Sequence, residues 1–259
     1  MIFTKFYIRI FKILINKLSI NRETIYLGTN YGGWSLIDQP KLKNNIIISA
    51  GVGEDISFDV EMINKYDLKV IFVDPTPRAL QHLSIFKNSL GNPKTGSYLN
   101  GGLQPIEAYD LTGITESNFF IVDKALFNTS GKIIKFFSPP NKEHVSHSIS
   151  NWQNNFKKES EYIEVQTISI SDLLKKHNID NISMIKLDIE GAEIEVINDM
   201  IKNKIYPNQL LVEFDELHNN LLKGYLRATN IFLKLLKNNY KLVKTSRYPN
   251  FLFIKDSFV

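Results

Sequence analysis

With 259 residues, the chain is long enough for one large α/β domain with a substantial core and too short for two full-sized domains. Hydrophobic residues make up 43% of it and charged residues 22%, which excludes a disordered or collagen-like chain, and the scattered lysines behind its net charge of +4 do not indicate a nucleic-acid binder. The absence of cysteine excludes disulfides, thiolate catalysis and Cys-based zinc sites, and it suits a reducing cytoplasm, where we place the protein.

The first predicted element is an amphipathic helix over residues 1–18. Lys5, Arg9, Lys12 and Asn16 recur every three or four positions, so they share one face of the helix, and the remaining arc is apolar. Charges interrupt the apolar stretch too often for a secretory signal or a membrane-spanning helix. Two interpretations remain: the helix packs its apolar arc on its own domain, or it lies on an anionic membrane surface.

A loop rich in glycine and aromatic residues follows this helix, and we assign residues 1–44 to an N-terminal segment and residues 45–259 to the main domain. The stretch "NNIIISAGVGEDISFDV" predicts a strand, a glycine turn and a helix, because a β-branched run gives way to helical spacing. The next strand, "LKVIFVD", ends at Asp74. Two such units predict the start of a βαβ series with a parallel sheet.

The second half of the chain continues the alternation. Residues 90–117 lose the periodic pattern, which predicts a long surface excursion. We then predict a strand that ends at Asp123, a hairpin arm "GKIIKFF" beside it, and a polar loop that carries His144 and His147. The remaining strands and helices, with two β segments at the end, predict a mostly parallel sheet that has an antiparallel strand near its edge. This arrangement is more typical of class I methyltransferases than of dinucleotide dehydrogenases.

The glycine turn is the first candidate site. Gly51 and Gly53 lack a Cβ, so the backbone can approach a ligand closely between a strand and a helix N-terminus. Asp74 follows at the end of the next strand, where a carboxylate can accept hydrogen bonds from both hydroxyl groups of a ribose. Together these residues predict a site for a nucleoside cofactor, although the dipeptide "DP" is also a common turn signal.

Several segments resemble, in the same order, the FkbM family of S-adenosylmethionine-dependent methyltransferases. The resemblance extends from about residue 46 to residue 254. It implies a Rossmann-like class I fold: a mostly parallel seven-stranded sheet with helices on both faces and a C-terminal antiparallel β-hairpin. It also implies methyl transfer to a hydroxyl group, often of a sugar or glycan. The quoted segments are "IIISAGVGEDISFD", "VIFVDPTP", "IVDKALFNTSGKIIKFF", "VSHSI", "VQTISISDLL", "MIKLDIEGAE" and "LLVEF".

The resemblance implies a set of contacts to S-adenosylmethionine. The glycine turn gives backbone clearance, Asp74 takes the ribose, and Asp123 lies where the adenine amino group needs an acceptor. Ser49 stands where many family members carry an acidic residue, so the sulfonium is expected to lean on Glu54 or Asp55. The predicted cofactor-binding residues are Gly51, Gly53, Glu54, Asp74 and Asp123.

The most specific element of the resemblance is KxDxEGxE, formed here by Lys186, Asp188, Glu190, Gly191 and Glu193. Asp188 ends the fourth strand, next to the strand with the glycine turn, so it is placed as a base or as a ligand that holds the acceptor or a divalent cation. Glu190 is left open between helix capping and acceptor binding. For Glu193 the helix dipole explains an acid without any catalytic role.

Two further residues complete the predicted site. His147, within "VSHSI", is the second candidate for the base, because histidine exchanges protons near neutral pH. Lys186 alternates with buried side chains along its strand and is expected to pair with a carboxylate, for which Glu213 is the candidate. Trp34 is expected to anchor the N-terminal segment. We assign no metal ligands.

These predictions lead to one function and two alternatives. The leading hypothesis is a cytoplasmic S-adenosylmethionine-dependent O-methyltransferase in polysaccharide biosynthesis, acting on a saccharide or glycoconjugate hydroxyl, with peripheral membrane contact through residues 1–18 as an option. The first alternative is an NAD-dependent oxidoreductase on a similar sheet. The second is a non-catalytic glycan-binding protein at the membrane surface.

Overall fold

The computed structural model describes residues 2–139, 147–149, 160–218, 221–245 and 247–256. Within these ranges the chain alternates between helices and strands. The helices are α1 (Ile2–Leu18), α2 (Ser57–Tyr66), α3 (Pro77–Asn88), α4 (Ile170–Lys176), α5 (Glu193–Lys202) and α6 (Leu222–Lys237). The strands are β1 (Ser19–Ile20), β2 (Ile25–Leu27), β3 (Trp34–Leu36), β4 (Ile46–Ala50), β5 (Lys69–Val73), β6 (Phe119–Val122), β7 (Ala125–Leu126), β8 (Ile133–Phe137), β9 (Tyr162–Ile168), β10 (Met184–Leu187), β11 (Gln209–Glu213), β12 (Tyr240–Val243) and β13 (Asn250–Lys255).

The main sheet has the strand order β1-β12-β13-β11-β10-β4-β5-β6. Strands β11, β10, β4, β5 and β6 pair in parallel, whereas β13 runs antiparallel to both β11 and β12. The mostly parallel sheet is therefore confirmed. It contains eight strands where seven were expected, because the two-residue β1 pairs in parallel with β12.

Helices cover both faces of this sheet. Alternate side chains of a strand point to opposite faces, and β5 shows the consequence. Ile71 and Val73 join an apolar core that also contains side chains of α1, α4, α5 and α6. Val70 and Phe72 join a second core with α2 and α3. The ends of the central strands lie between these two layers, and they hold the candidate site.

Local sequence explains where two helices begin. Pro77 is the first residue of α3, a position where the missing amide proton costs nothing. Ser169 caps α4, since its hydroxyl oxygen accepts a hydrogen bond from the amide of Asp172.

A small sheet beside the main one corrects the predicted hairpin arm. Strand β8 pairs antiparallel with β9, and β9 pairs in parallel with β7. The expected partner of β8 was the strand that ends at Asp123, but β6 stays in the main sheet against β5. The apolar side chains of Phe136 and Val165 explain the choice, because they pack together with Ala125 in a core of their own.

Residues 90–117 form the predicted surface excursion only in part, because residues 91–103 are exposed or half-buried whereas the segment from Gln104 onward is anchored in the core. Tyr109, Leu111 and Ile114 are buried in the core that α2 and α3 share. The Tyr109 hydroxyl accepts a hydrogen bond from the amide of Ile56 at 3.2 Å and lies 3.1 Å from Nε2 of His82. A few widely spaced apolar residues anchor this segment, and their spacing follows neither the helical nor the β period on which the prediction relied.

Helix α1 packs on its own domain, as the first interpretation predicts. Phe11 is buried, and its ring meets those of Tyr225 and Phe232 edge to face. The Tyr7 hydroxyl lies 3.1 Å from that of Thr229. In the described part of the chain, no helix is both long enough and apolar enough to cross a membrane.

Candidate functional site

A cavity of about 980 Å³ opens at the carboxyl edge of the main sheet. Strands β4, β5, β10 and β11 all end there, because parallel neighbours deliver their carboxyl ends to the same edge. The site is therefore assembled from segments that are far apart in sequence. Its lining includes Tyr31, Gly51, Gly53, Glu54, Asp74, His147, Lys186, Asp188, Glu190, Glu213, Asp215, His218, Arg247 and Tyr248.

The glycine turn lies directly against the end of β10. Gly51 has a φ of +73°, and a Cβ at this position would lie 1.6 Å from the carbonyl oxygen of Asp188. Only glycine allows this approach. The ammonium group of Lys186 donates a hydrogen bond of 2.7 Å to the carbonyl of Gly51. Lys186 thus holds the turn. It forms no ion pair with Glu213, its expected partner, among the described residues, and its charge acts on Asp59 and Asp188 instead.

Asp74 holds the same turn from the other side. One carboxylate oxygen accepts hydrogen bonds from the amides of Val52 and Gly53 at 2.9 and 3.1 Å. The other accepts from the amide and hydroxyl of Thr76 at 2.9 and 2.6 Å. An ionised carboxylate offers about four acceptor positions, and these bonds use all of them. To bind a ribose hydroxyl, Asp74 must therefore release one of its present donors.

The two acids after the glycine turn have different partners. Glu54 lines the cavity and forms a two-bond ion pair with Arg78, at 3.0 and 2.6 Å. Asp55 is buried and accepts hydrogen bonds from the Thr29 hydroxyl at 2.5 Å and from the Ser57 amide at 3.0 Å. Asp55 thereby joins the β2–β3 hairpin to the start of α2.

The carboxylates in the turn from Asp188 to Glu193 differ in their surroundings, because Glu193 is buried whereas Asp188 and Glu190 line the cavity. The carboxylate of Glu193 is buried and accepts hydrogen bonds from the amides of Ile189 and Gly191 at 3.0 and 3.1 Å, which confirms its structural role. Glu190 lines the cavity and has a φ of +52°, a conformation that non-glycine residues rarely adopt. Such backbone strain concentrates at functional sites.

A group of titratable side chains forms one wall of the cavity. Nε2 of His218 lies 3.4 Å from Glu213, and Nδ1 lies 3.4 Å from Asp215. Burial raises the pKa of Glu213 to about 7, and the nearby charge of Asp188 adds to this. Burial also raises the pKa of Asp188, although Lys186 offsets part of the increase. The hydrogen bond with Asp215 raises the pKa of His218.

With a pKa of about 7, Glu213 can exchange a proton near neutral pH, as general acid–base catalysis requires. Among the described residues, no three His, Asp or Glu side chains are arranged to hold a metal ion.

The structure brings His147 to the site and leaves Asp123 outside it. His147 lines the cavity, with Nε2 3.2 Å from the Ser138 hydroxyl. Asp123 is exposed just after β6 and does not line the cavity. The following residues, Ala125 and Leu126 of β7, line it there instead. His144 lies outside the described residues. Trp34 is buried and does not line this cavity, in agreement with an anchoring role.

Sequence reasoning missed His218 and the site role of Asp215. Both lie in "VEFDELH", directly after the strand that ends at Glu213. The rule that selected Asp188, a polar residue at the end of a parallel strand, would have selected this segment too. Arg247 was also missed. It lies on the connection between β12 and β13, and it donates a hydrogen bond of 3.1 Å to the carbonyl of Gly33.

Comparison with known proteins agrees with the fold. A family model described as the methyltransferase FkbM domain matches residues 30–242. Neither the curated proteins nor the solved structures give a match. The matched range contains the glycine turn and every cavity-lining residue named above except those between β12 and β13. Because the match covers well over half of the chain, this protein belongs to the FkbM methyltransferase family.

Proposed function

We propose that the protein is an S-adenosylmethionine-dependent O-methyltransferase that acts on a hydroxyl group of a saccharide or glycoconjugate in polysaccharide biosynthesis. One observation carries the proposal: a glycine turn and two carboxylates whose pKa values are raised by burial, Asp188 and Glu213, line the same cavity in a chain of a methyltransferase family. The family match also counts against the oxidoreductase alternative.

The cavity suits S-adenosylmethionine in shape and charge. The turn at Gly51 and Gly53 exposes backbone where a side chain would fill the space, and the acidic lining favours a cationic ligand. Glu54 and Asp74 are the nearest candidates for its polar groups. When bound, this cofactor supplies a methyl group on a positively charged sulfur. The role of Asp123 toward adenine stays a prediction, which its exposed position does not support.

Asp188 is our candidate for the group that removes the proton from the acceptor hydroxyl. It is half-buried, lines the cavity and lies against the glycine turn, so an acceptor between the turn and β11 reaches it. Burial raises its pKa toward the range in which a carboxylate is an effective base. Glu213 and His218 lie beside it and can carry the proton away. His147 remains the second candidate.

The lining also suits a saccharide acceptor. Glu190 and Glu213 can accept hydrogen bonds from several hydroxyl groups at once. Tyr31 and Tyr248 present exposed aromatic rings at the cavity, and such rings offer an apolar surface beside a polar group. A ring with many hydroxyl groups matches this combination.

Cofactor binding is the first test. We expect calorimetry to show binding of S-adenosylmethionine and S-adenosylhomocysteine, and none of NAD. Asp74→Ala should weaken binding by roughly tenfold or more, because two loop amides lose their acceptor. Asp110→Ala, at an exposed loop aspartate, is the matched control. Binding of NAD alone would favour an oxidoreductase, and binding of no nucleotide would favour the glycan-binding alternative.

The same assay tests the base. In Asp188→Asn we expect cofactor affinity within a few-fold of the wild type, while transfer of labelled methyl to a panel of saccharides falls by ~10²-fold or more. Asp180→Asn, at an exposed aspartate near the opposite edge of the sheet, should change neither. Wild-type turnover in Asp188→Asn would remove Asp188 from this role.

A further inference from the structure

Helix α1 exposes a row of large apolar side chains to solvent. Phe6, Ile10 and Ile13 are 62%, 43% and 49% exposed, although the opposite side of the helix buries Phe11. Their spacing of four and three residues places them on one face. Packing against α6 therefore does not use the whole apolar surface of α1, and a continuous strip remains uncovered.

Cations flank this strip. Lys5, Arg9, Lys12 and Lys17 are all exposed, and the sequence of α1 contains no acidic residue to offset them. A helix that combines bulky apolar side chains with lysine and arginine matches the interface of an anionic bilayer, where the apolar groups enter the acyl boundary and the cations meet the headgroups. Charge complementarity thus favours an anionic lipid surface as the occupant.

The strip lies close to the mouth of the cavity. The ammonium group of Lys12 is 5.0 Å from the centre of the Tyr248 ring, and Tyr248 lines the cavity. A membrane in contact with α1 therefore lies near the part of the cavity that Tyr248 lines.

We infer that α1 docks the protein on an anionic membrane and that the acceptor is a saccharide linked to a lipid of that membrane. The docking step stands on α1 alone, whereas the acceptor class rests on the proposed function. Docking brings the cavity to the layer in which the saccharide of such a lipid lies, and it raises the local concentration of acceptor.

Sedimentation with lipid vesicles tests the docking step without any cofactor or transfer. We expect the wild-type protein to bind vesicles that contain phosphatidylglycerol and to bind vesicles of pure phosphatidylcholine weakly. Arg9→Glu and Ile10→Ser should each weaken binding by roughly tenfold, because a headgroup contact or a buried apolar group is lost. Circular dichroism checks that both variants are folded.

Matched controls exist elsewhere on the surface. Ile85 on α3 is 46% exposed, close to the value for Ile10, and Lys69 is exposed at the start of β5, away from the cavity. Ile85→Ser and Lys69→Glu should bind vesicles like the wild type. The docking step would be overturned by any of three results: equal binding of the wild type to both vesicle types, wild-type binding by Arg9→Glu, or equal losses of binding in the control variants. An acidic protein partner would then replace the bilayer as the proposed occupant of the strip.

A second arm tests the acceptor class. The same saccharide is offered free in solution and coupled to a lipid in phosphatidylglycerol vesicles. We expect Arg9→Glu to reduce methyl transfer to the vesicle-bound form by roughly tenfold and to leave transfer to the free form unchanged. An equal effect on both forms would reject the lipid-linked acceptor. Loss of all transfer with intact vesicle binding would reject the proposed function and keep the docking step.

Discussion

Gly51 is the residue at which a single methyl group decides whether the site can form. Its backbone touches the carbonyl of Asp188, so the strand with the glycine turn and the strand with the candidate base approach as closely as backbone atoms allow. Its left-handed φ is one reason why this position requires glycine. The lack of space is the stronger reason, since a Cβ at 1.6 Å from an oxygen cannot be accommodated without moving a strand end.

A pair of glycine substitutions separates these two causes. Gly51 and Gly91 have φ values of +73° and +84°, and nothing lies within 4 Å of a Cβ at Gly91. We expect Gly91→Ala to lower the free energy of unfolding by about 1 kcal/mol and to bind cofactor normally. Gly51→Ala should cost more than ~3 kcal/mol and abolish binding. If the two variants lost the same free energy of unfolding in chemical denaturation and the same cofactor affinity in calorimetry, the left-handed backbone conformation alone would explain the need for glycine.

Among the secondary-structure elements, helix α1 has two roles, one on each of two faces. One side closes the core over α6 through Phe11, whose ring meets Tyr225 and Phe232 at centroid distances of 5.1 and 5.7 Å. The other side carries the exposed strip that we assign to a membrane. The two tasks are separable because they use different residues of the same helix.

Two phenylalanine truncations in α1 test this division. Phe11→Ala should lower the free energy of unfolding by about 3–5 kcal/mol, since it leaves a cavity between α1 and α6. Phe6→Ala removes the same ring from an exposed position and should change stability by no more than about 0.5 kcal/mol, while it weakens vesicle binding. Denaturant titration measures the first quantity. A large loss of stability in Phe6→Ala would mean that the strip is covered within the protein.

At the scale of the whole molecule, buried acids couple stability to pH. Burial is the largest cause that raises the pKa of Asp59 to about 6 and those of Glu213 and Glu216 to about 7. The charge of Lys186 and the hydroxyl of Ser49 offset only part of the effect at Asp59. In the unfolded chain these groups titrate near 4, so the folded state holds more protons between about pH 4 and pH 7.

The direction in which the free energy of unfolding changes with pH follows from proton linkage. Because the folded state binds more protons than the unfolded state in this range, the free energy of unfolding falls as the pH rises from about 4 to about 7. Asp59→Asn keeps the neutral form at every pH and should stabilise the protein by about 3 kcal/mol above pH ~7 and by nothing below pH ~4. Urea denaturation across this range measures the difference. Asp180→Asn is the exposed control, and an unchanged pH profile in Asp59→Asn would contradict the expected linkage.

The order of the main elements and the ends of the central strands could be predicted from the amino-acid sequence alone. Hydrophobic periodicity is a local property, so the strands that end before Asp74 and Asp188 and the glycine turn between β4 and α2 could be predicted from short windows. The parallel arrangement then predicted that these residues meet at one edge of the sheet, and the cavity lies there.

Which atoms contact one another at the site depends on the folded chain and could not be predicted. The bond from Lys186 to Gly51, the saturation of Asp74 by loop amides, the place of His218 in the site and the exposure of Asp123 depend on register and on side-chain direction between distant segments. The burial of Tyr109 and the pairing of β8 with β9 have the same origin. Contacts of this kind are fixed when two cores close around the sheet, and no local pattern in the chain records them.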